Sequence, residues 1–171
     1  MDTDIAAIKK ILLAEDDPRD VEMILAALED LGLGNTVAVV NNGAEALDYL
    51  YRRGKFDTRP SSNPILVVVD NNMPKVNGIE VLKVIKADAE LRMIPVVAFS
   101  SSREMLDLNE FYRHGVNAYV VKPVAYSEFI KMVKQIGGFW VTANELPPSH
   151  TESEKTLIKA LSPEEKEFNL I

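Results

Sequence analysis

Ile65-Leu66-Val67-Val68-Val69-Asp70-Asn71-Asn72-Met73-Pro74 is the stretch whose reading decides the fold. Its first five residues are apolar and four of them are β-branched. A run this short and this apolar fits a strand buried on both faces, as at the centre of a parallel sheet. Asn71, Asn72 and Pro74 favour turns and stop the strand near Asp70. Asp70 is thereby delivered to the carboxyl edge of the sheet, the edge where open α/β folds bind ligands.

Outward from this strand, the chain alternates strands and helices. Lys9–Ala14 reads as a strand stopped by Glu15-Asp16-Asp17-Pro18. A helix follows, with Val21, Ile24, Leu25, Leu28 and Leu31 inward, and closes at Gly32 and Gly34. Thr36–Val40 is the second strand, and a helix from about Ala44 to Arg53 comes after Asn42-Gly43. Residues 54–64 form a long polar loop with two prolines. Beyond the central strand, Asn77-Gly78 opens a helix with Ile79, Val81, Leu82 and Ile85 as its apolar stripe. Ile94–Phe99 is the fourth strand, ending in Ser100-Ser101-Ser102. A helix from Arg103 to His114 then carries Met105, Leu106, Leu108 and Phe111 as its apolar face. Asn117–Val121 is the fifth strand, stopped by Lys122-Pro123; the last helix runs from Tyr126 to Ile136 and ends at Gly137-Gly138.

Five strand–helix alternations specify an α/β fold with a parallel sheet and right-handed crossovers. The fold class implies a flavodoxin-like, doubly wound sheet in the order 2-1-3-4-5, with helices on both faces and strands 1 and 3 adjacent. The expected division is one domain over 8–141 and an acidic extension over 142–171. Residues 1–7 are a short leader. Thr151–Glu154 and Ser162–Glu165 have the spacing of helix-capping boxes, so two short tail helices are expected.

Composition narrows the function. No cysteine is present, which excludes thiolate metal sites and cysteine nucleophiles, and His114 and His150 are too few for a histidine cage. A net charge of −7 argues against general nucleic-acid binding. No stretch has the length of a membrane span and the amino terminus lacks a signal pattern, so a cytoplasmic protein without membrane contact is expected.

The strand ends carry the chemistry. Glu15 and Asp16 follow strand 1, Asp70 strand 3, Ser100 strand 4 and Lys122 strand 5, all at one sheet edge. Three carboxylates so close repel one another, and a hard divalent cation such as Mg²⁺ is the usual remedy. Lys122 suits an anion, Ser100 offers a hydroxyl, and aspartate is able to accept a phosphoryl group covalently. Glu15-Asp16-Asp17 would by itself also suit a helix start; of the three, Asp17 is the expected capping acid.

With these residues in order, the chain resembles the receiver domain of two-component response regulators over roughly residues 8–137. The matching pieces are Glu15-Asp16, Asp70 with Met73-Pro74 and Gly78, Ser100-Ser101, and Tyr119-Val120-Val121-Lys122-Pro123. The resemblance implies that Asp70 is phosphorylated from a phosphohistidine on a histidine kinase. It implies that Glu15, Asp16, Asp70 and the Asn72 carbonyl bind Mg²⁺, that Lys122 and Ser100 contact the phosphoryl oxygens, and that Ser100 and Tyr119 form a switch. It also suggests a cis peptide bond before Pro123, which X–Pro energetics permit. Asn71, in place of a common apolar residue, and Ser100, in place of the commoner threonine, depart from the pattern.

More narrowly, Tyr51–Phe56, the proline-containing loop, Phe139-Trp140 and Glu145-Leu146-Pro147-Pro148 are similar to the single-domain regulators paired with phytochrome-type kinases. The face of helix 4, strand 5 and helix 5, with Phe139 and Trp140, is the expected homodimer surface. On this reading the protein catalyses only its own phosphorylation and dephosphorylation. Two alternatives stand beside it. A haloacid-dehalogenase-type phosphatase also uses a strand-end aspartate, but expects a carboxylate where this chain has Asn72. A receiver-like interaction module would work without phosphorylation.

Overall fold

The computed structural model describes residues 10–147. The leader and both expected tail helices lie outside them. Five strands, β1 (Ile11–Ala14), β2 (Val37–Val40), β3 (Leu66–Val69), β4 (Val96–Ser100) and β5 (Ala118–Val121), pair in parallel in the order β2-β1-β3-β4-β5. Five α-helices connect or follow them: α1 (Pro18–Glu29), α2 (Gly43–Leu50), α3 (Gly78–Ala87), α4 (Met105–Arg113) and α5 (Tyr126–Gly138).

The uninterrupted apolar runs are explained by two cores, one on each face of the sheet. Leu12, Ala14, Val67, Val69, Val96 and Ala98 pack on one side with side chains of α2, α3 and α4. Their neighbours Ile11, Leu13, Leu66, Val68, Val97 and Phe99 pack on the other with α1 and α5. Successive strand side chains point to opposite faces, so a strand covered on both must be apolar at every position. None of the helices among the described residues is long and apolar enough to cross a membrane.

Four expectations need correcting. The second helix stops at Leu50 rather than Arg53, because Arg52 turns into the left-handed region at φ 53°. In α4 only Phe111 is buried, whereas Met105 and Leu106 are 72% and 76% exposed. These two precede Phe111 by six and five residues, off the three-to-four spacing that shares a helix face. The glycine pair ends α5 at Gly138 but does not break the chain's helical course, which runs on into a π-helical turn, Phe139–Ala143, that buries Val141. A Cβ on Gly137 would lie 2.6 Å from Leu28 Cδ2, so this glycine serves the close approach of α5 to α1. Finally, no cis peptide bond occurs among the described residues. The bond before Pro123 is trans, the intrinsically favoured isomer, and the Lys122 contacts described below form with it.

The long loop is tied down by Arg59. Its guanidinium donates to the carbonyls of Tyr49 and Leu50 at the end of α2, and to those of Pro60 and Ser62. Orphan carbonyls at a helix end are thereby satisfied by a cation, the sign the helix dipole favours there.

Candidate functional site

Backbone hydrogen bonds extend the sheet one residue past three strands and so place the site residues. The Glu15 amide donates to the Val40 carbonyl at 3.0 Å, the Asp70 amide to Ala14 at 3.0 Å, and the Lys122 amide to Ser100 at 2.9 Å. The chain then leaves each strand and its next side chain faces a common cleft. Glu15, Asp16 and Asp70 each offer a carboxylate oxygen, and these oxygens lie within 4.8 Å of one another. Glu15 and Asp70 are buried while Asp16 is exposed.

The turn after Asp70 is held from behind. The Asn71 carbonyl accepts from the Gly78 amide at 3.1 Å, and the Asn71 side chain accepts from the Ile79 amide at 3.3 Å. Asn71, a departure from the family pattern, thus binds the start of α3 to the strand end. A Cβ on Gly78 would fall inside contact distance of the Asp70 carbonyl oxygen and lie 2.9 Å from Asn71 Cα. Only glycine lets the helix start so close to the acidic strand end.

Lys122 is the sole ammonium in direct contact with the cluster among the described residues. Its Nζ lies 2.7 Å from Glu15 Oε2, 2.7 Å from Asp20 Oδ2 and 3.6 Å from Asp70 Oδ2. Asp20, in the first turn of α1, was not among the expected site residues. The signal for it was its place in the first turn of α1, directly after the acidic strand end. Buried Asp70 Oδ1 has no hydrogen-bond partner.

Burial pushes the Asp70 carboxyl above its ordinary value, against the pull of Lys122 and of the Ser100 hydroxyl. Burial likewise raises Glu15, against its hydrogen bond to Lys122. Lys122 goes the other way. Burial works to lower it, but hydrogen bonds to Asp20 and Glu15 outweigh this and push it up to about 12. The asymmetry is physical: one ammonium feels three carboxylates, whereas each carboxylate has a share of one ammonium.

Four carboxylates against one ammonium leave a formal charge of −3. An all-oxygen donor set, a surplus of negative charge and an orphaned buried Asp70 oxygen fit a hard divalent cation. Asn72, the other expected ligand, is exposed in the loop after Asp70.

Ser100 is fully buried at the end of β4, and its hydroxyl accepts from the Ser102 amide at 3.3 Å. Tyr119, on β5, donates its hydroxyl to the Ser102 carbonyl at 3.0 Å and meets Phe111 of α4 edge-on at 5.3 Å. Ser102 in turn donates to Asp107 Oδ2 at 2.5 Å. Ser102 and Asp107 thus link the two expected switch residues to α4. That link was not foreseen, because it needs the β4–α4 loop to fold back on β5.

Residues 11–134 match the profile of the response regulator receiver domain. The chain belongs to the response regulator receiver family. Among curated relatives, the response regulator Rcp1 of Synechocystis sp. is 32% identical over 139 residues, covering 81% of this chain and 93% of the relative. The probable methanogenesis regulatory protein FilR2 of Methanothrix harundinacea is 36% identical over 137 residues, 80% of this chain and 86% of that one. Among solved structures, the phosphorylated cyanobacterial phytochrome response regulator RcpA superposes with a TM-score of 0.76 at 38% identity, over 82% of this chain and 99% of that one. The bacteriophytochrome response regulator AtBRR gives a TM-score of 0.64 at 48% identity, over 81% and 99%. Rcp1 has been solved in a Mn²⁺-bound form, with a TM-score of 0.76 at 32% identity, over 81% and 99%. The protein is therefore a receiver of the kind found in two-component signalling, a family of regulators rather than metabolic enzymes.

Proposed function

We propose that Asp70 accepts a phosphoryl group from a phosphohistidine of a partner histidine kinase and that the receiver signals by the ensuing change of shape. The observation that carries this reading is the state of Asp70. It is buried, one oxygen lacks any partner, and two further carboxylates and an ammonium stand beside it.

In the transfer, an Asp70 carboxylate oxygen forms the new bond to phosphorus as the phosphorus–nitrogen bond to the kinase histidine breaks. The electron pair of that bond returns to the imidazole. Lys122 is within reach of the incoming anionic oxygens, and the Ser100 hydroxyl stands at the adjacent strand end. Glu15, Asp16, Asp70 and the Asn72 carbonyl would hold Mg²⁺, which when bound offsets the charge of the carboxylates and of the phosphoryl oxygens. Reorientation of Ser100 towards the phosphoryl group would release its contact with the Ser102 amide and disturb the Tyr119–Ser102–Asp107 link to α4.

The names of the structural relatives support a phytochrome-type histidine kinase as the partner. Cytoplasmic residence goes with that reading. Exposed Met105, Leu106 and Tyr112 on α4 and half-exposed Phe139 support the α4–β5–α5 side as the contact face for a second copy. We take residues 8–141 as the receiver unit, with 142–171 as an extension. Buried Val141 supports a unit reaching that far.

Incubation with a small phosphodonor and Mg²⁺ tests the assignment. Wild type should gain one phosphoryl group that hydroxylamine and alkali release, and Asp70→Asn none. Label persisting on another aspartate of the variant would show that Asp70 is not the acceptor.

A further inference from the structure

We propose that Asp20 is the resting counter-ion of Lys122, and that a phosphoryl group on Asp70 must draw the ammonium away from it. Asp20 would then be a positioning residue that sets how readily the site accepts a phosphoryl group. The inference rests on the reading of Asp70 given above.

An ammonium has three donors. Two are committed at 2.7 Å, to Glu15 and Asp20, while Asp70 lies at 3.6 Å, beyond hydrogen-bond range. Lys122 is therefore held beside the acceptor but not on it. The third donor remains for a phosphoryl oxygen, and an ammonium drawn towards the added negative charge on Asp70 lengthens one of its two short contacts.

Exposure decides which. The Glu15 side chain is 2% exposed, so releasing it would strand a buried carboxylate. The Asp20 side chain is 20% exposed, and Asp20 and Lys122 both line a cavity of about 270 Å³ with Ser101 and Tyr126. Water can replace the ammonium at Asp20 and not at Glu15.

Asp20 is also free for this role. It stands three residues after the N-cap Asp17, where an acidic side chain commonly folds back onto the N-cap amide. Here that amide donates instead to Glu15 Oε1 at 3.0 Å. Asp20 reaches across to β5, and it lies outside the three-carboxylate cluster.

Beryllium fluoride with Mg²⁺, an analogue of the phosphoryl group, is the probe. Asp20→Asn keeps an oxygen acceptor but removes the charge. Its affinity for the analogue should rise roughly tenfold, the order expected when a charge-assisted hydrogen bond is exchanged for a neutral one. The same substitution in a Lys122→Gln background should change affinity less than twofold, since the residue it acts through is gone. Asp20→Ser serves as a second variant should the first not fold, as judged by circular dichroism. An unchanged or weaker affinity in Asp20→Asn overturns the proposal. So does a gain that survives in the Lys122→Gln background, which would mark a mere effect of net charge. If wild type itself neither binds the analogue nor labels at Asp70, the reading of the site falls and this inference falls with it.

Discussion

Helices α1 and α3 follow the adjacent strands β1 and β3, and both begin with a polar cap and an acid three residues later. At α3 the device is closed. The Glu80 amide donates to Asn77 Oδ1 and the Asn77 amide to Glu80 Oε2, each at 3.0 Å. At α1 it is open: Asp17 caps the Arg19 amide at 2.9 Å, Glu15 takes the Asp17 amide at 3.0 Å, and Asp20 bonds to Lys122. The α3 start is wired to itself and touches the acidic cleft through backbone and Gly78. The α1 start is wired to a side chain 102 residues away. One helix keeps its local stabilisation, while the other exchanges part of it for control of a charge beside the acceptor.

The widest gap between the two should open when Lys122 is lost. Lys122→Gln leaves Glu15 buried without its cation, and in metal-free buffer should cost about 3 kcal/mol in denaturant unfolding. Phosphodonor labelling should fall by about a hundredfold or more, since a charged group facing the phosphoryl oxygens is removed. A variant as stable and as readily labelled as wild type would erase the distinction between the helix starts. Next comes Gly78→Ala, where the added methyl presses on the Asp70 carbonyl. It should destabilise by about 2 kcal/mol and slow labelling too, which equilibrium melts and labelling time courses measure together. Asn77→Ala opens the closed box at a cost of about 1 kcal/mol. Labelling should stay within about twofold of wild type, because no polar side chain of that box faces the acceptor.

The smallest effect is one of sign. Asp70 has a folded carboxyl raised above its ordinary 3.8 by burial, so its contribution is favourable below that value and is lost as pH rises through the raised one. In metal-free buffer Asp70→Asn should therefore melt above wild type at pH 7, with the two converging as the pH falls to about 4. Thermal melts across that range check it; a variant less stable at neutral pH would mean that the charge is not disfavoured in the resting site.

The elements most legible in the sequence were those whose side chains have one possible environment. Ile65–Val69 fitted a strand buried on both faces, and the strand order, inferred from the fold class, is the one observed. Glu15, Asp16, Asp70, Ser100 and Lys122 were legible as a group because each ends a strand, and parallel strands all end at one edge. The errors have separate causes. Met105 and Leu106 are apolar yet exposed because they lie off the helix face of Phe111, whereas at Gly137 the close approach of α1, not a break in the helix, is what calls for glycine.

By itself, then, the amino-acid order determined the fold class and the roster of groups at the carboxyl edge, since apolar periodicity and turn residues act over a few positions. Which carboxylate holds Lys122, and which Asp70 oxygen is left without a partner, only the tertiary structure decided. Those outcomes depend on distances of a few ångströms between residues far apart in the chain. Neighbouring residues do not encode such distances; the packing of α1 and β5 onto the same sheet does.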